Sequence, residues 1–304
     1  MTNLPSVILV GPGAIGSLYA GMLSDSGVDL AVVARSAQSE IANGIQVDSV
    51  WKSFVFRPSA VYATPPEKAA GYLIVTTKVT PEWNPRSLTP LIGPHTVIVL
   101  IQNGIFIETP YRELFPQNEI ISAIAFVCTF RLSATHVSHT DYGRLVLGVY
   151  PNGMSENAKA LQSLFAKAGV PCELATDIQR RRWIKLLWNA AYNPLCVLTN
   201  GQTTAEIMAN PETRQLAQAL MIEVQSLARL DGVEISDDLI DKNLKDTEKM
   251  VPYKPSMLLD VEANRPLETE VILGNAVRFA RQKGATIPHL ETLYALLAGR
   301  KENA

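Results

Sequence analysis

The feature that most constrains this chain is a glycine-rich turn near its N-terminus, between an apolar run and a helical stretch. Gly11, Gly13 and Gly16 give the pattern G-x-G-x-x-G directly after the apolar run Val7–Val10. In such a turn the first glycine permits a tight bend, the second lets a pyrophosphate approach the backbone, and the third allows the helix to pack on the strand. The turn therefore predicts a dinucleotide site formed by Gly11, Pro12, Gly13, Ala14, Ile15 and Gly16.

A charged residue after the second predicted strand indicates which dinucleotide this turn would bind. An NAD-specific site places Asp or Glu at the carboxyl end of that strand, whereas an NADP site omits the acid and offers Arg to the 2′-phosphate. Here the apolar run 30–33 is followed by Arg35, and the nearest acid, Asp29, lies at the other end of the strand. Arg35 therefore predicts NADP(H) as cofactor, the alternative being a solvated surface arginine.

The spacing of apolar residues predicts the fold class. Short apolar runs at 73–77, 96–100 and 120–126 alternate with helical stretches, which is typical of a parallel sheet covered on both faces, and the stretch 135–149 alternates as a hairpin does. From about residue 177 the apolar residues recur every three and four positions, as in helices. We therefore expect an α/β protein with a Rossmann-type doubly wound sheet in residues 1–175 and an all-helical domain in residues 176–304.

Composition limits the partners and compartments that the chain can have. Its 27 basic and 29 acidic side chains nearly balance, and the one dense basic spot, Arg180-Arg181-Arg182, is too short to indicate nucleic acid as a partner. No apolar run of about 18 residues is present, and the N-terminus lacks a signal-peptide pattern, so we expect no membrane span and no export. Three isolated cysteines, Cys128, Cys172 and Cys196, fit a reducing compartment and predict a cytoplasmic protein.

Two further expectations concern metal and assembly. The four histidines form no convincing set of ligands, so no metal site is predicted. The helical half could supply a dimer face, which makes a homodimer a further expectation.

Polar residues follow two of the predicted strands. Lys78 follows the third apolar run and Asn103 follows the fourth, so both stand at the sheet edge where ligands of open α/β sheets bind. Taken singly they are an ordinary loop lysine and an ordinary Asn-Gly turn. Together with the glycine turn they are candidate ligand contacts.

The helical half contains a polar stripe in an otherwise apolar segment. Lys185, Asn189 and Asn193 are spaced by four residues and so share one face of a helix. Burial of these groups requires polar partners, which a bound polar substrate could supply, while the alternative is an exposed stripe on an amphipathic helix. Pro194 is expected to interrupt this helix and to free backbone groups near Asn193.

A second candidate is an acid near a predicted helix entry. Pro266 is expected in the first turn of a helix with Glu268 close behind it. The helix dipole favours the carboxylate form there, so Glu268 suits the acceptance of hydrogen bonds or pairing with a cation, or it is simply a first-turn acid.

These residues together resemble the ketopantoate reductases (2-dehydropantoate 2-reductases) over nearly the whole chain. The most specific part is the block Lys185-Leu-x-x-Asn189-x-x-x-Asn193-Pro-Leu, because a glycine turn alone occurs in many activities. The likeness also rests on the glycine turn, Arg35, Thr77-Lys78, Gln102-Asn103-Gly104, and the stretch from Pro255 through Ser256 and Asp260 to Glu268.

The resemblance implies NADPH-dependent reduction of a 2-oxoacid, 2-dehydropantoate, to pantoate, a step toward pantothenate and coenzyme A. In that family the lysine matching Lys185 is the general acid, and residues matching Asn189, Asn193 and Ser256 bind polar groups of the substrate. The resemblance also places Asn103 near nicotinamide and substrate, Lys78 near the cofactor, and Glu268 near the reacting centre, where it counts as both catalytic and cofactor-contacting.

Two departures from the family pattern leave the substrate open. Tyr253 stands where the best-studied type has an asparagine that contacts substrate, and Phe106 follows the Asn103-Gly104 pair where a small residue is common. Both are expected at the edge of the substrate site. A related reductase of another 2-oxoacid or ketone is therefore the second hypothesis, and a non-catalytic NADP-binding sensor is the third. A sensor would need only the glycine turn, so the polar residues of the helical half argue against it.

Overall fold

The computed structural model describes residues 6–300, and these residues form two compact units. The first unit contains the described residues up to Lys78, Asn84–Gln102 and Glu108–Ile178, and the second contains Val79–Trp83, Asn103–Ile107 and the residues from Gln179 on. The expected absence of a signal peptide concerns a terminus whose residues 1–5 lie outside the described part. The two short segments that group with the helical unit come from the sequence of the first half, which the sequence analysis did not anticipate.

The first unit is built on a single sheet. Among the described residues, its ten strands are β1 (Val7–Val10), β2 (Leu30–Val33), β3 (Ile45–Ser49), β4 (Phe54–Phe56), β5 (Val61–Tyr62), β6 (Tyr72–Val75), β7 (Val97–Leu100), β8 (Ile120–Ser133), β9 (His136–Val149) and β10 (Cys172–Leu174). Their order is β4-β3-β9-β8-β7-β6-β1-β2-β5, with β10 paired to β9. From β8 to β5 all neighbours are parallel, while β9 runs antiparallel to β8 and β4 antiparallel to β3.

The parallel centre of the sheet follows directly from its apolar sequence. All four residues in each of β1, β2, β6 and β7 are buried, as expected for strands with helices on both faces. This confirms the predicted Rossmann-type α/β class. The β3–β4 hairpin was not predicted, because its stretch 45–56 mixes apolar with charged and hydroxyl side chains. The β8–β9 hairpin is also longer than predicted, with 14 residues in each strand.

Four α-helices complete the first unit within residues 6–178. They are α1 (Ala14–Asp25), α2 (Gln38–Asn43), α3 (Thr109–Leu114) and α4 (Glu156–Lys167), and a 3-10 helix spans Pro85–Leu91. Helix α1 buries Leu18, Tyr19 and Leu23 in the main core, and α4 adds Leu161 and Phe165. The glycine turn is thereby fixed between a buried strand and a buried helix.

The second unit is helical throughout its described part, which confirms the prediction for this half. Its helices are α5 (Ile178–Leu198), α6 (Thr204–Ala209), α7 (Pro211–Leu230), α8 (Asp237–Lys249), α9 (Ser256–Glu262), α10 (Asn275–Lys283) and α11 (Pro288–Ala298), with a π-helical turn at Glu270–Gly274. Asn210 separates α6 from α7, because its side chain accepts a hydrogen bond from the Glu212 N–H and Pro211 opens the next helix. None of the helices within residues 6–300 combines the length and apolarity that a membrane span requires.

Two proline expectations were wrong. Helix α5 continues through Pro194 to Leu198, because a proline removes only one donor and the flanking residues Asn193 and Leu195 stay buried in the unit. Pro266 lies in a loop, since helical structure begins only at Thr269. Glu268 therefore directly precedes the helix, and its carbonyl accepts the Ile272 N–H at 3.1 Å.

Candidate active site

Two of the three glycines in the turn are required by the chain's own packing. Gly11 directly follows β1 with φ of +90°, and a Cβ there would lie 2.7 Å from Thr77 Cγ2 and 2.9 Å from the Thr77 backbone nitrogen. A Cβ at Gly16 would lie 2.6 Å from the Gly11 carbonyl oxygen. Both glycines are explained by the close approach of strand, turn and helix, as the motif predicts.

Gly13 is different, because no heavy atom lies within 4 Å of the position a Cβ would take. Packing within the described chain therefore does not require a glycine there, and the space beside the turn is open to a ligand. Gly13 is the extended N-cap of α1, and no acidic residue occupies the first turn of that helix. The first N–H groups of a helix have no intrahelical partner and create positive potential, so the turn fits a pyrophosphate.

Arg35 and Lys78 follow strands that flank this turn. Arg35 lies just after β2, is exposed, and makes no hydrogen bond or ion pair with another described residue. Lys78 is half-buried three residues after β6. The backbone before Lys78 is fixed, because Gln102 Nε2 donates to the Thr77 carbonyl at 2.7 Å and Thr76 Oγ1 donates to the Gly11 carbonyl at 2.6 Å.

In the second unit, α5 carries the polar stripe of Lys185, Asn189 and Asn193. Asn189 and Asn193 are buried and Lys185 is half-buried, so the exposed-stripe alternative does not describe this helix. Asn193 Oδ1 accepts the Met257 N–H at 3.3 Å. Since the N-cap residue of α9 offers no side-chain cap, Asn193 also fixes the start of α9, which begins at Ser256.

Lys185, Asn103 and Glu268 are joined by hydrogen bonds, and we call these three residues the Lys185 network. Lys185 Nζ donates to Asn103 Oδ1 at 3.0 Å, and Asn103 Nδ2 donates to Glu268 Oε2 at 3.1 Å. An ammonium only donates and a carboxylate only accepts, so the two neighbours determine which way the Asn103 amide faces. The Val79 N–H donates to the other Glu268 oxygen at 3.4 Å. The network thus combines a cation and an anion through an oriented amide.

The surroundings of Lys185 make it more acidic than an ordinary lysine. Its pKa is lowered from 10.5 to about 8, chiefly because burial disfavours the ammonium form. The positive charge of Arg182 lowers it further, and the carboxylate of Glu268 acts in the opposite direction. A lysine with this pKa holds a proton at neutral pH and can give it up, as a general acid must.

A pocket of the second unit adjoins this network. Its lining residues are Asn193, Ser256, Met257, Asp260, Glu268 and Ile272. Glu268 belongs to both the pocket and the Lys185 network. Asp260 is ion-paired with Arg265 at 3.0 Å, so its charge is already partly satisfied. Of the remaining polar groups, Asn193 and Ser256 can donate hydrogen bonds to a small ligand, and Glu268 can accept one from a hydroxyl group.

The structure does not place the two family departures in the pocket lining. The ring of Tyr253 lies 6.0 Å from that of Trp188. Phe106 packs against Trp183 and Phe279, with ring centroids 5.8 and 5.1 Å away. Aromatic packing within the helical unit holds both rings, and the expectation that the two residues edge the substrate site stays a prediction.

The sequence analysis missed one charged residue beside the network. Arg182 lies one helical turn before Lys185, is 7% exposed, and donates from Nη1 to the Gly104 carbonyl at 3.1 Å. It was counted only as part of the short basic spot Arg180-Arg181-Arg182. Its spacing of three residues from Lys185 was the available signal.

Comparison with known proteins identifies the family. The model "Ketopantoate reductase PanE/ApbA" matches residues 7–152, and the model "Ketopantoate reductase PanE/ApbA C terminal" matches residues 177–302. The chain belongs to the ketopantoate reductase family. Family membership makes it an oxidoreductase of the class that acts on CH–OH groups, and it implies a small-molecule substrate and a nicotinamide cofactor.

Individual relatives extend over almost the whole chain. The crystal structure of 2-dehydropantoate 2-reductase from Methylococcus capsulatus is 40% identical with a TM-score of 0.90, covering 96% of this chain and 95% of that one. The 2-dehydropantoate 2-reductase of Nostoc sp. is 32% identical over 94% of this chain and 92% of its own length. A structure of D-mandelate dehydrogenase with NADH shares the fold at 20% identity and a TM-score of 0.86, covering 96% of this chain and 97% of that one.

Proposed function

We propose that this protein catalyses the NADPH-dependent reduction of 2-dehydropantoate to pantoate, a step toward pantothenate and coenzyme A. The observation that carries the proposal is the Lys185 network, in which a lysine of lowered pKa is hydrogen-bonded through Asn103 to Glu268. The similarity to the Methylococcus and Nostoc enzymes supports the choice of substrate.

In this proposal residues 1–175 bind the cofactor. The turn from Gly11 to Gly16 holds the pyrophosphate, with the open side of Gly13 facing it. Arg35 binds the 2′-phosphate that distinguishes NADP from NAD, and its exposed side chain is available for that contact. Lys78 adds a second cation for the cofactor. When bound, NADPH supplies the hydride that reduces the C2 ketone of the substrate.

Residues 176–304, with Asn103, supply the groups that act on the substrate. Asn189, Asn193 and Ser256 bind its polar groups, and the last two lie in the pocket that Glu268 also lines. Lys185 Nζ holds the proton that passes to the ketone oxygen as the alcohol forms. Its positive charge stabilises the alkoxide that develops on that oxygen before the proton moves.

Asn103 and Glu268 keep Lys185 ready for this step. The Asn103 oxygen fixes the direction of the ammonium, and the Glu268 carboxylate favours the protonated form at neutral pH. Both residues are also proposed to contact the cofactor, since the family resemblance places Asn103 near the nicotinamide and Glu268 near the reacting centre.

A second candidate is the reduction of another 2-oxoacid on the same scaffold. Tyr253 favours it, because an amide that contacts substrate in the best-studied type is replaced by a ring packed near Trp188. Such a change alters substrate recognition while leaving the Lys185 network intact.

A substrate panel tests the proposal. Oxidation of NADPH is followed at 340 nm, about the wavelength of the reduced nicotinamide band, with 2-dehydropantoate and with branched and aromatic 2-oxoacids. We expect the highest kcat/KM for 2-dehydropantoate. A higher value for another 2-oxoacid supports the second candidate, and no turnover with any of them despite NADPH binding contradicts both. Light scattering of the same protein tests whether it is a homodimer, the assembly expected in the sequence analysis.

A further inference from the structure

The backbone that carries Asn103 is held from several sides, and we call the residues Asn103–Ile107 the Asn103 segment. Gly104 has φ of +93°, and a Cβ there would lie 2.3 Å from the Val271 carbonyl oxygen. The Ile105 N–H donates to that same carbonyl at 3.3 Å, and Asn275 Nδ2 donates to the Ile105 carbonyl at 2.7 Å. These contacts fix one side of the segment to the π-helical turn and the start of α10.

Arg182 holds the segment from α5. Its Nη1 donates to the Gly104 carbonyl at 3.1 Å, one residue beyond Asn103. The same helix places Lys185 one turn later, where it donates to the Asn103 side chain. A single helical turn of α5 therefore contacts both the backbone and the side chain of the Asn103–Gly104 pair.

We propose that Arg182 is a positioning residue: its guanidinium holds the Gly104 carbonyl so that the Asn103 amide stays between Lys185 and Glu268. The proposal rests on the proposed function, in that Lys185 is the proton donor. Without the Arg182 contact, the segment keeps its links to Val271 and Asn275 but loses the hydrogen bond that ties its backbone to the helix that carries the donor. A small displacement of an orienting group is costly, since misplacement by about 1 Å can reduce a rate about 100-fold.

Besides holding the Gly104 carbonyl, Arg182 acts on the pKa of Lys185 through its positive charge. The charged groups that act on Lys185 are Arg182 on its own helix and Glu268 from the segment before the π-helical turn. Arg182 lowers the pKa of Lys185 and Glu268 raises it, so the two residues oppose each other around one ammonium. A purely structural arginine would affect folding without affecting the titration of Lys185.

Three variants separate charge from shape. Arg182→Gln removes the charge and keeps an N–H donor, while Arg182→Lys keeps the charge and loses the planar fork. Arg180→Gln is the matched control, because Arg180 lies on the same helix and its Nε donates to the Glu234 carbonyl, away from the Lys185 network.

The first measurement needs neither substrate nor turnover. Acetic anhydride labels neutral amines, so the labelling of Lys185 against pH, read by mass spectrometry, gives its titration in the free protein. We expect a midpoint near 8 in the wild type, in Arg182→Lys and in Arg180→Gln, and a higher midpoint in Arg182→Gln. An unchanged midpoint in folded Arg182→Gln would overturn the electrostatic part of the proposal.

The second measurement is steady-state kinetics with NADPH and 2-dehydropantoate. We expect kcat of Arg182→Gln to fall about 10- to 100-fold with KM for NADPH unchanged, and Arg182→Lys to recover part of the loss. Wild-type kcat in both Arg182 variants would overturn the positioning role.

If Arg182→Gln does not fold, Arg182→Lys alone decides, with a lowered kcat and an unchanged labelling midpoint as the expected result. Absence of turnover in the wild type would contradict the proposed function, while the labelling experiment would still test the influence of Arg182.

Discussion

At the scale of single residues, the opposed charges around Lys185 predict a specific pH dependence. The proton donor must be protonated, so kcat/KM should fall as pH rises through about 8. Glu268→Gln removes the charge that raises the pKa of Lys185, so the alkaline limb should move to lower pH. The measurement is kcat/KM for 2-dehydropantoate from about pH 6 to pH 10. An alkaline limb that stays in place in Glu268→Gln would show that Glu268 does not act on the donor.

The same lowered pKa affects stability, and its sign differs from that of a lysine in a favourable ion pair. The folded protein releases the Lys185 proton at about 8, whereas an ordinary lysine retains it up to about 10.5. Between these values the unfolded chain binds more protons, so the contribution of Lys185 to stability increases as pH rises. Lys185 is therefore retained at a cost in stability near neutral pH, which is consistent with a functional role.

Arg35 determines the choice of cofactor in this account. Arg35→Ala should weaken NADPH about 10- to 100-fold, because a hydrogen bond between charged groups contributes about 1.5–3 kcal/mol. NADH lacks the 2′-phosphate, so its KM should change little. Titration of both dinucleotides against the variant measures the difference. Equal weakening of NADPH and NADH binding would show that Arg35 is a solvated surface residue and does not bind the 2′-phosphate.

At the scale of elements, the two asparagines of α5 should differ in their effect on stability. Asn193 accepts the Met257 N–H at the start of α9, so Asn193→Ala should lower the free energy of unfolding by about 0.5–2 kcal/mol, as loss of a helix cap does. Asn189 is buried but its side chain makes no hydrogen bond with another described residue, so Asn189→Ala is the matched control. Urea unfolding measures the stability of both, and steady-state kinetics measures substrate KM.

Both asparagine variants should raise the KM for 2-dehydropantoate, since both are proposed to bind it. Only Asn193→Ala should also lose stability. Equal stability of the two variants would mean that the contact with α9 contributes little to folding.

Local chemistry determined how well the elements could be predicted. The strands beside the glycine turn are continuous apolar runs, so their burial and parallel pairing followed from the sequence. The course of α5 through Pro194 did not, because packing of its buried neighbours outweighs the proline's local preference. The helix after Glu268 was predicted to start too early, because the prediction used only the local preference of Pro266 for the first turn of a helix.

At the scale of the whole molecule, the sequence predicted a change from an α/β half to a helical half near residue 175, and contacts place the change between Ile178 and Gln179. What the sequence could not show is that Val79–Trp83 and Asn103–Ile107 group with the helical unit. That grouping depends on contacts between residues far apart in sequence, such as Asn103 with Glu268 and Gly104 with Arg182. The residue types of the candidate site were therefore predictable, but the link that joins them was not.

The central claim is that Lys185 is the proton donor for a ketone reduction supported by NADPH. The most direct test compares Lys185→Ala with the wild type in two assays on the same protein: NADPH binding by fluorescence and 2-dehydropantoate-dependent NADPH oxidation. We predict that NADPH affinity is retained while kcat falls about 100- to 10,000-fold, the usual contribution of a general acid. A Lys185→Ala variant that turns over 2-dehydropantoate at the wild-type rate would contradict the account.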